Sequence, residues 1–290
     1  MGSALDIGVG RDRLDRSDLA APFGGVRAPA AFSDDFHTRC EAALLVSGPE
    51  AVLCGPTSAA LFGLPLPARH RPGPLTPIHL ALPAGSRAVR RAGITGSVLQ
   101  LPPHHVTRWL HLATTRPART WCDLATRLSL PELVAAGDRM LRLRLCTTDE
   151  LARVADERAD RRGIRVIREA LDLLDPASES PKESELRVLV VRAGLPAPRA
   201  NAEIRDEHGR FVARVDLLFE EYGEILEYHG DHHRTDRRQW RRDRTRESEL
   251  ESLGLHVTEV AADDLRDPPA LLRRIARNLA RRGWRGTLRL

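Results

Sequence analysis

Lysine is nearly absent from this chain. Of its 45 basic residues only Lys182 is a lysine, and Glu183 follows it. A Walker A phosphate loop, which needs lysine followed by Ser or Thr, is therefore excluded. The arginine excess is mainly a codon-composition bias. A dinucleotide fingerprint is missing too, since Gly8-Val9-Gly10 follows no strand and lacks the later glycine. There is no HExxH and no CxxC; Cys40, Cys54, Cys122 and Cys146 are scattered. Nothing resembles a signal peptide or an apolar run of bilayer length. The expectation is a cytoplasmic protein with reduced thiols and no membrane partner. Internal repeats and heptads are also lacking.

A chain of 290 residues exceeds one average domain, so two units are predicted, each able to bury a core. The net charge of +5 and pI near 9.5 favour an acidic partner such as nucleic acid. Residues 1–38, rich in Gly, Pro, Asp and Arg, read as a poorly ordered lead-in. Residues 39–176 read as a mixed, largely helical domain. Helices are expected over Asp35 to Val46, after Pro56-Thr57-Ser58, after Thr115, from Ser129, from Thr148 and over Arg161 to Leu174, with strands at Pro77 to Leu82 and Ile94 to Leu99. The Asp175 to Pro181 stretch is the predicted boundary.

Residues 177–290 read as α-β-β-β-α-β before a final helix, an α/β (α+β) arrangement. Phe211 to Phe219 alternates as a half-buried strand should, with Arg214, Asp216 and Leu218 on one face. Glu220-Glu221-Tyr222-Gly223 has hairpin-loop length and a glycine for a positive φ. If Phe219 pairs with Glu224, Asp216 lies opposite Glu227 with Cβ atoms ~5 Å apart. Like charges that close call for a cation, and Arg214 or a divalent metal could serve. Behind the hairpin, His232 to Arg246 carries seven arginines, with Asp236 as a helix cap and Gly254 at the helix end. Arg237, Arg238, Arg241, Arg242 and Arg246 are candidate phosphate contacts, against the plain reading of a solvated helix face. Trp240, Asp243, Glu247 and Leu250 share a stripe, which aims Asp243 at the sheet.

The element order, with Glu183-Ser184-Glu185-Leu186-Arg187, Arg214-Val215-Asp216, Glu227-Tyr228-His229-Gly230, His232-His233 and Arg241-Arg242-Asp243, resembles the PD-(D/E)XK or restriction-endonuclease-like superfamily. Within it, very-short-patch-repair endonucleases are the nearest likeness, over roughly Ser178 to the C-terminus. The resemblance implies a metal-dependent DNA endonuclease that hydrolyses phosphodiester bonds. Asp216 and Glu227 would hold Mg²⁺ or Mn²⁺, Glu183 would orient a water, and His229 or the His232-His233 pair would act as general base or phosphate contact. Asp243 would support them. His229 stands where the superfamily commonly has lysine, and the repair endonucleases also use a histidine in an HG context.

Other readings stand beside these. Glu183 lies three residues after Ser180, where a capping box wants an acid, and Glu185 could supply the carboxylate instead. Asp216 and Glu227 could form salt bridges to Arg214. A zinc site at the three histidines would need a matching Cys or His pair. The segments Cys54 to Leu64 and Thr115 to Ala125 resemble the abortive-infection type IV antitoxins, which join a winged-helix head to an α/β body; most of that head is missing here. That likeness implies the competing function, a DNA-binding antitoxin-like regulator with an inactive nuclease fold, and leaves a protein partner or homodimer open.

Overall fold

The computed structural model describes residues 6–229 and 237–290, with side chains in helix 237–252 described from Thr245 onward. The chain is a mixed α/β protein of two compact units. One comprises Met1–Ser129 with Arg144–Leu171, the other Leu130–Leu143 with Asp172–Leu290. No helix among the described residues is long and apolar enough to cross a membrane.

In the first unit the expected loose lead-in is structured. It contains helix α1 (Arg11–Leu14) and the paired strands β1 (Leu19–Ala20) and β2 (Ala28–Pro29). Phe23 anchors it by packing into the core with Cys40, Leu53, Ile78 and Leu112. Leu14 and Ala28 are buried with it, and Arg27 donates to the Leu14 carbonyl at 2.8 Å, contacts that composition alone does not reveal. Helix α2 (Phe36–Ser47) is capped by Asp35, whose carboxylate accepts from the Thr38 N–H at 2.9 Å.

A six-stranded sheet follows, in the order β5-β6-β4-β3-β8-β7. Its members are β3 (Val52–Leu53), β4 (Ile78–Pro83), β5 (Arg90–Arg91), β6 (Ile94–Leu99), β7 (Val106–Trp109) and β8 (Leu112–Thr115). Sequence reading finds only the two longest, because periodicity has nothing to work on in strands of two to four residues.

The segments Cys54 to Leu64 and Thr115 to Ala125 contain helices α3 (Gly55–Leu61) and α4 (Pro117–Leu124). Their hydroxyls are satisfied inside the unit: Thr114 donates to Ser58 at 2.6 Å, and Thr115 and Thr120 share a 2.7 Å bond. Helices α6 (Thr148–Glu157), opened by a capping box between Thr147 and Glu150, and α7 (Ile164–Asp172) come later in the chain.

Helix α5 (Leu130–Arg142) belongs to the second unit, although the predicted boundary assigned it to the first. A buried polar knot explains this. Asp138 accepts from Ser184 at 2.7 Å, from Arg187 at 2.6 Å and from the Asp175 N–H at 2.7 Å. Ser184 and Arg187 lie on helix α8 (Pro181–Arg192). The rest of the unit is strands β9 (Arg199–Arg205), β10 (Phe211–Phe219) and β11 (Glu224–His229), helix α9 (Arg237–Ser252), strand β12 (His256–Ala261) and helix α10 (Pro268–Arg281).

The sheet order is β12-β11-β10-β9, antiparallel except where β12 runs parallel to β11. Leu217, Phe219 and Leu226 enter a core with Leu186 and Val190 of α8 and Leu271, Ile275 and Leu279 of α10. The paired Leu218 and Ile225 bury against Leu250 of α9.

Candidate active site on the C-terminal sheet

The β10–β11 hairpin turns through a 3₁₀ segment, Glu220–Tyr222, and closes at Gly223, whose φ of 56° is left-handed. A side chain there would be strained and would meet the Arg282 guanidinium at 3.0 Å. The register set by this turn pairs Phe219 with Glu224, Leu218 with Ile225 and Leu217 with Leu226. Continued by one step, it opposes Asp216 to Glu227, on the face that Leu218 and Ile225 turn toward α9.

The neighbouring strands extend the row. Val215↔Ala202 and Leu217↔Ala200 flank Asn201 opposite Asp216, while Glu227 is in register with Glu259 of β12. Each strand thus contributes one polar residue: Asn201, Asp216, Glu227 and Glu259.

Their partners are specific. Asp216 Oδ2 accepts the Tyr228 N–H at 2.8 Å. Arg246 of α9 grips Glu227 with both guanidinium arms, one at 3.4 Å from Oε2 and the other on Oε1, and it donates to the Arg214 carbonyl at 2.8 Å. Among the described side chains, Arg246 and not Arg214 is therefore the guanidinium on these acids; Arg214 pairs with Glu179 at 2.7 Å. His229 Nε2 lies 3.5 Å from Glu259.

Glu183 is nearly buried at the start of α8, and Ser180 caps its N–H as the capping reading expects. Its Oε2, however, accepts from the Glu179 N–H at 2.8 Å and from Asn201 at 2.7 Å instead of closing a full capping box. Glu185 pairs with Lys182 at 2.6 Å. His232 and His233 lie outside the described residues, as do the side chains of Arg237, Arg238, Arg241, Arg242 and Asp243.

Two Mycobacterium tuberculosis proteins match along most of this length: "Uncharacterized protein MT2308" of strain CDC 1551 / Oshkosh and "Uncharacterized protein Rv2248" of strain ATCC 25618 / H37Rv. Each is 32% identical over 253 residues, covering 87% of this chain and 90% of the relative. The chain belongs to their family. No protein-family model matches it, and no solved structure matches it.

The electrostatics of this family member's hairpin run against its own acids. Burial raises the pKa of Asp216, and the charge of Glu183 adds to it despite the Tyr228 N–H, Arg246 and His229. Burial likewise raises Glu227, with Asp216 as the like charge and Arg246 and His229 in opposition. Two carboxylates on one face with raised pKa values, one of them bonded to Arg246, form a hard-oxygen set able to hold a cation.

Sequence reading missed Asn201. It stands polar between two buried alanines, at a φ of 48° that asparagine tolerates better than most residues. It also missed a cluster in the first unit, where His104 and His105 direct their Nε2 atoms at the same Glu157 oxygen, at 3.1 and 3.0 Å. These three side chains converge as metal ligands would. The chemistry of His105 argues otherwise: Arg119 donates to its Nδ1 at 3.0 Å, so the ring proton sits on Nε2 and points at Glu157. A metal on that nitrogen would need an imidazolate.

Burial also opposes thiolate formation at the cysteines. Burial pushes the Cys40, Cys54, Cys122 and Cys146 thiols up to about 12.

Proposed function

We propose that the C-terminal unit is a metal-dependent endonuclease of the restriction-endonuclease-like type, acting on DNA through the β10–β11 hairpin. The observation that carries this reading is the hairpin register, which, continued one step past Leu217↔Leu226, sets Asp216 opposite Glu227; both have raised pKa values, Asp216 in part through Glu183. Asp216 and Glu227 would hold Mg²⁺ or Mn²⁺. When bound, the ion supplies charge neutralisation on the phosphate and a more acidic water.

The chain's own residues do the rest. The Tyr228 N–H fixes the Asp216 carboxylate, leaving its Oδ1 to face a ligand. Asn201 and the Glu179 N–H hold Glu183 as a fixed negative charge near Asp216. His229, 3.5 Å from Glu259 at the end of β11, is the imidazole placed to take part in proton transfer. Arg246 opposes the burial that raises Glu227, and a bound cation or phosphate would compete for that pair.

The test is cleavage of supercoiled plasmid and of single-stranded DNA with Mg²⁺ or Mn²⁺, wild type beside Asp216→Ala and Glu227→Ala. Loss of metal-mediated charge stabilisation, worth several kcal/mol, lowers the rate by about a thousandfold or more. Cutting that survives either substitution in a folded protein rejects this active site.

A second reading rests on Arg246 already occupying Glu227. In it the chain is a DNA-binding, antitoxin-like regulator that keeps the acids as a structural pair. DNA binding with no cutting by the wild type, and no change in metal affinity on Asp216→Ala, would favour it.

A further inference from the structure

Helix α10 carries four arginines and no acid, PPALLRRIARNLAR. Its apolar side chains Leu271, Leu272, Ile275 and Leu279 are buried in the core of the C-terminal unit. Arg274, on the flank, is used structurally: it pairs with Asp264 at 3.0 Å and donates to the Glu259 carbonyl at 3.1 Å. Arg282, just past the helix end, is used in the same way, donating to the Tyr222 and Gly254 carbonyls.

Arg273, Arg277 and Arg281 differ. All three are exposed, and none has an ion pair or hydrogen bond among the described residues. They recur every four residues, which stacks them in one row about 6 Å apart along the helix. Between and beside them the exposed residues are small, Ala270 and Ala280. The result is a smooth cationic ridge with room for another backbone to come close.

We propose that this ridge is a sequence-independent binding surface for the phosphate backbone of a nucleic acid, separate from the hairpin site. The regular spacing of three uncompensated guanidiniums suits a ligand with regularly repeated negative charge, and a guanidinium matches phosphate in geometry. A lipid surface fits poorly, because every large apolar side chain of the helix is committed to the core and none is left to insert. The surface does not depend on cutting, so it stands or falls apart from the endonuclease reading.

The experiment is a salt titration of binding, in EDTA, to labelled duplexes of two unrelated sequences. It compares full-length wild type, R273Q/R277Q/R281Q and the charge-keeping R273K/R277K/R281K. Each phosphate contact contributes about 0.9 to the slope of log K against log salt. The glutamine variant should therefore lose roughly 2 to 3 from the slope on both sequences alike, and the lysine variant should keep most of it. Circular dichroism confirms that the glutamine variant is folded.

An unchanged slope in the folded glutamine variant overturns the proposal, and so does wild type that binds neither duplex at low salt. Arginine-dependent binding to phosphatidylserine vesicles or to polyglutamate that exceeds binding to duplex would give the ridge to a membrane or an acidic protein instead.

Discussion

The hairpin of the C-terminal unit and the His104–His105–Glu157 cluster of the N-terminal unit each bring carboxylate and imidazole together, yet their electrostatics have opposite signs. At the hairpin, the described surroundings oppose the acids' charge: Asp216 and Glu227 are both pushed up, by burial first and by a neighbouring acid as well. Around Glu157, donors outnumber acceptors. His105, Arg153 and His104 all bond to it, and its pKa falls to about 2. A cluster of ligand-type residues is thus no guide by itself to a metal. Among the described residues, burial raises both hairpin acids, whereas the donors of the histidine cluster lower the one acid they surround.

The largest effect expected from this contrast lies at Arg119. Its guanidinium holds the nearly buried Asp123 carboxylate through Nε at 2.9 Å, donates to the Gln100 carbonyl at 2.8 Å and sets the His105 tautomer. Arg119→Ala leaves Asp123 to Arg158 alone, at 3.3 Å, and strips Nδ1 of its donor. Breaking a buried pair in this way costs about 3–5 kcal/mol. Denaturant unfolding measures it, and a loss below 1 kcal/mol would mean that the cluster is looser than its geometry.

Smaller, and aimed at the other side of the contrast, is the response to a divalent cation. Mn²⁺ at a hundredfold excess over its Kd stabilises a folded protein by about 2.7 kcal/mol. The thermal midpoint of wild type should rise with Mn²⁺, that of Asp216→Asn should not, and His104→Ala should respond as wild type does. Without metal, Asp216→Asn should melt higher than wild type, because it removes a carboxylate whose ionisation the fold opposes. A response lost in His104→Ala and kept in Asp216→Asn would reverse the ranking of the two clusters.

How much of this was legible follows from the range of the forces involved. The opposition of Asp216 and Glu227 could be read because a hairpin register is a local matter, set by a short turn ending in Gly223 and by the period of two. The cap at Ser180 was legible for the same reason, whereas Asp35, expected as the first helical residue, proves to be the cap of a helix that starts at Phe36. Arg246 was marked only as one arginine in a run, since nothing local says which of them turns back onto Glu227, 19 positions earlier. Asn201 and the convergence of His104 and His105 on Glu157, 53 and 52 positions on, are tertiary facts that no periodicity encodes. The transfer of α5 to the second unit was hidden likewise, because it rests on long-range packing against α8, in which Asp138 bonds Ser184 and Arg187 46 and 49 positions on.

The smallest expected effect is also the one that reads both clusters at once, through pH. For Asp216 and Glu227 the folded pKa lies above the unfolded value, so as pH falls the folded state takes up protons first. Stability from these groups therefore rises as pH falls through their folded pKa values, and it levels off below about 4. His105 runs the other way. Burial lowers its pKa first of all, and Arg119 and His104 add to this against the bond to Glu157. The unfolded chain thus protonates first near about 6.5, and stability is lost below that point. Glu157 adds a further loss between its ordinary range and about pH 2. Thermal midpoints from pH 7.5 to pH 4 should fall more steeply in the double variant Asp216→Asn with Glu227→Gln than in wild type, and less steeply in His105→Gln. Parallel curves for all three would mean that neither cluster holds its charges as its geometry demands, and the sign difference that separates them would lose its meaning.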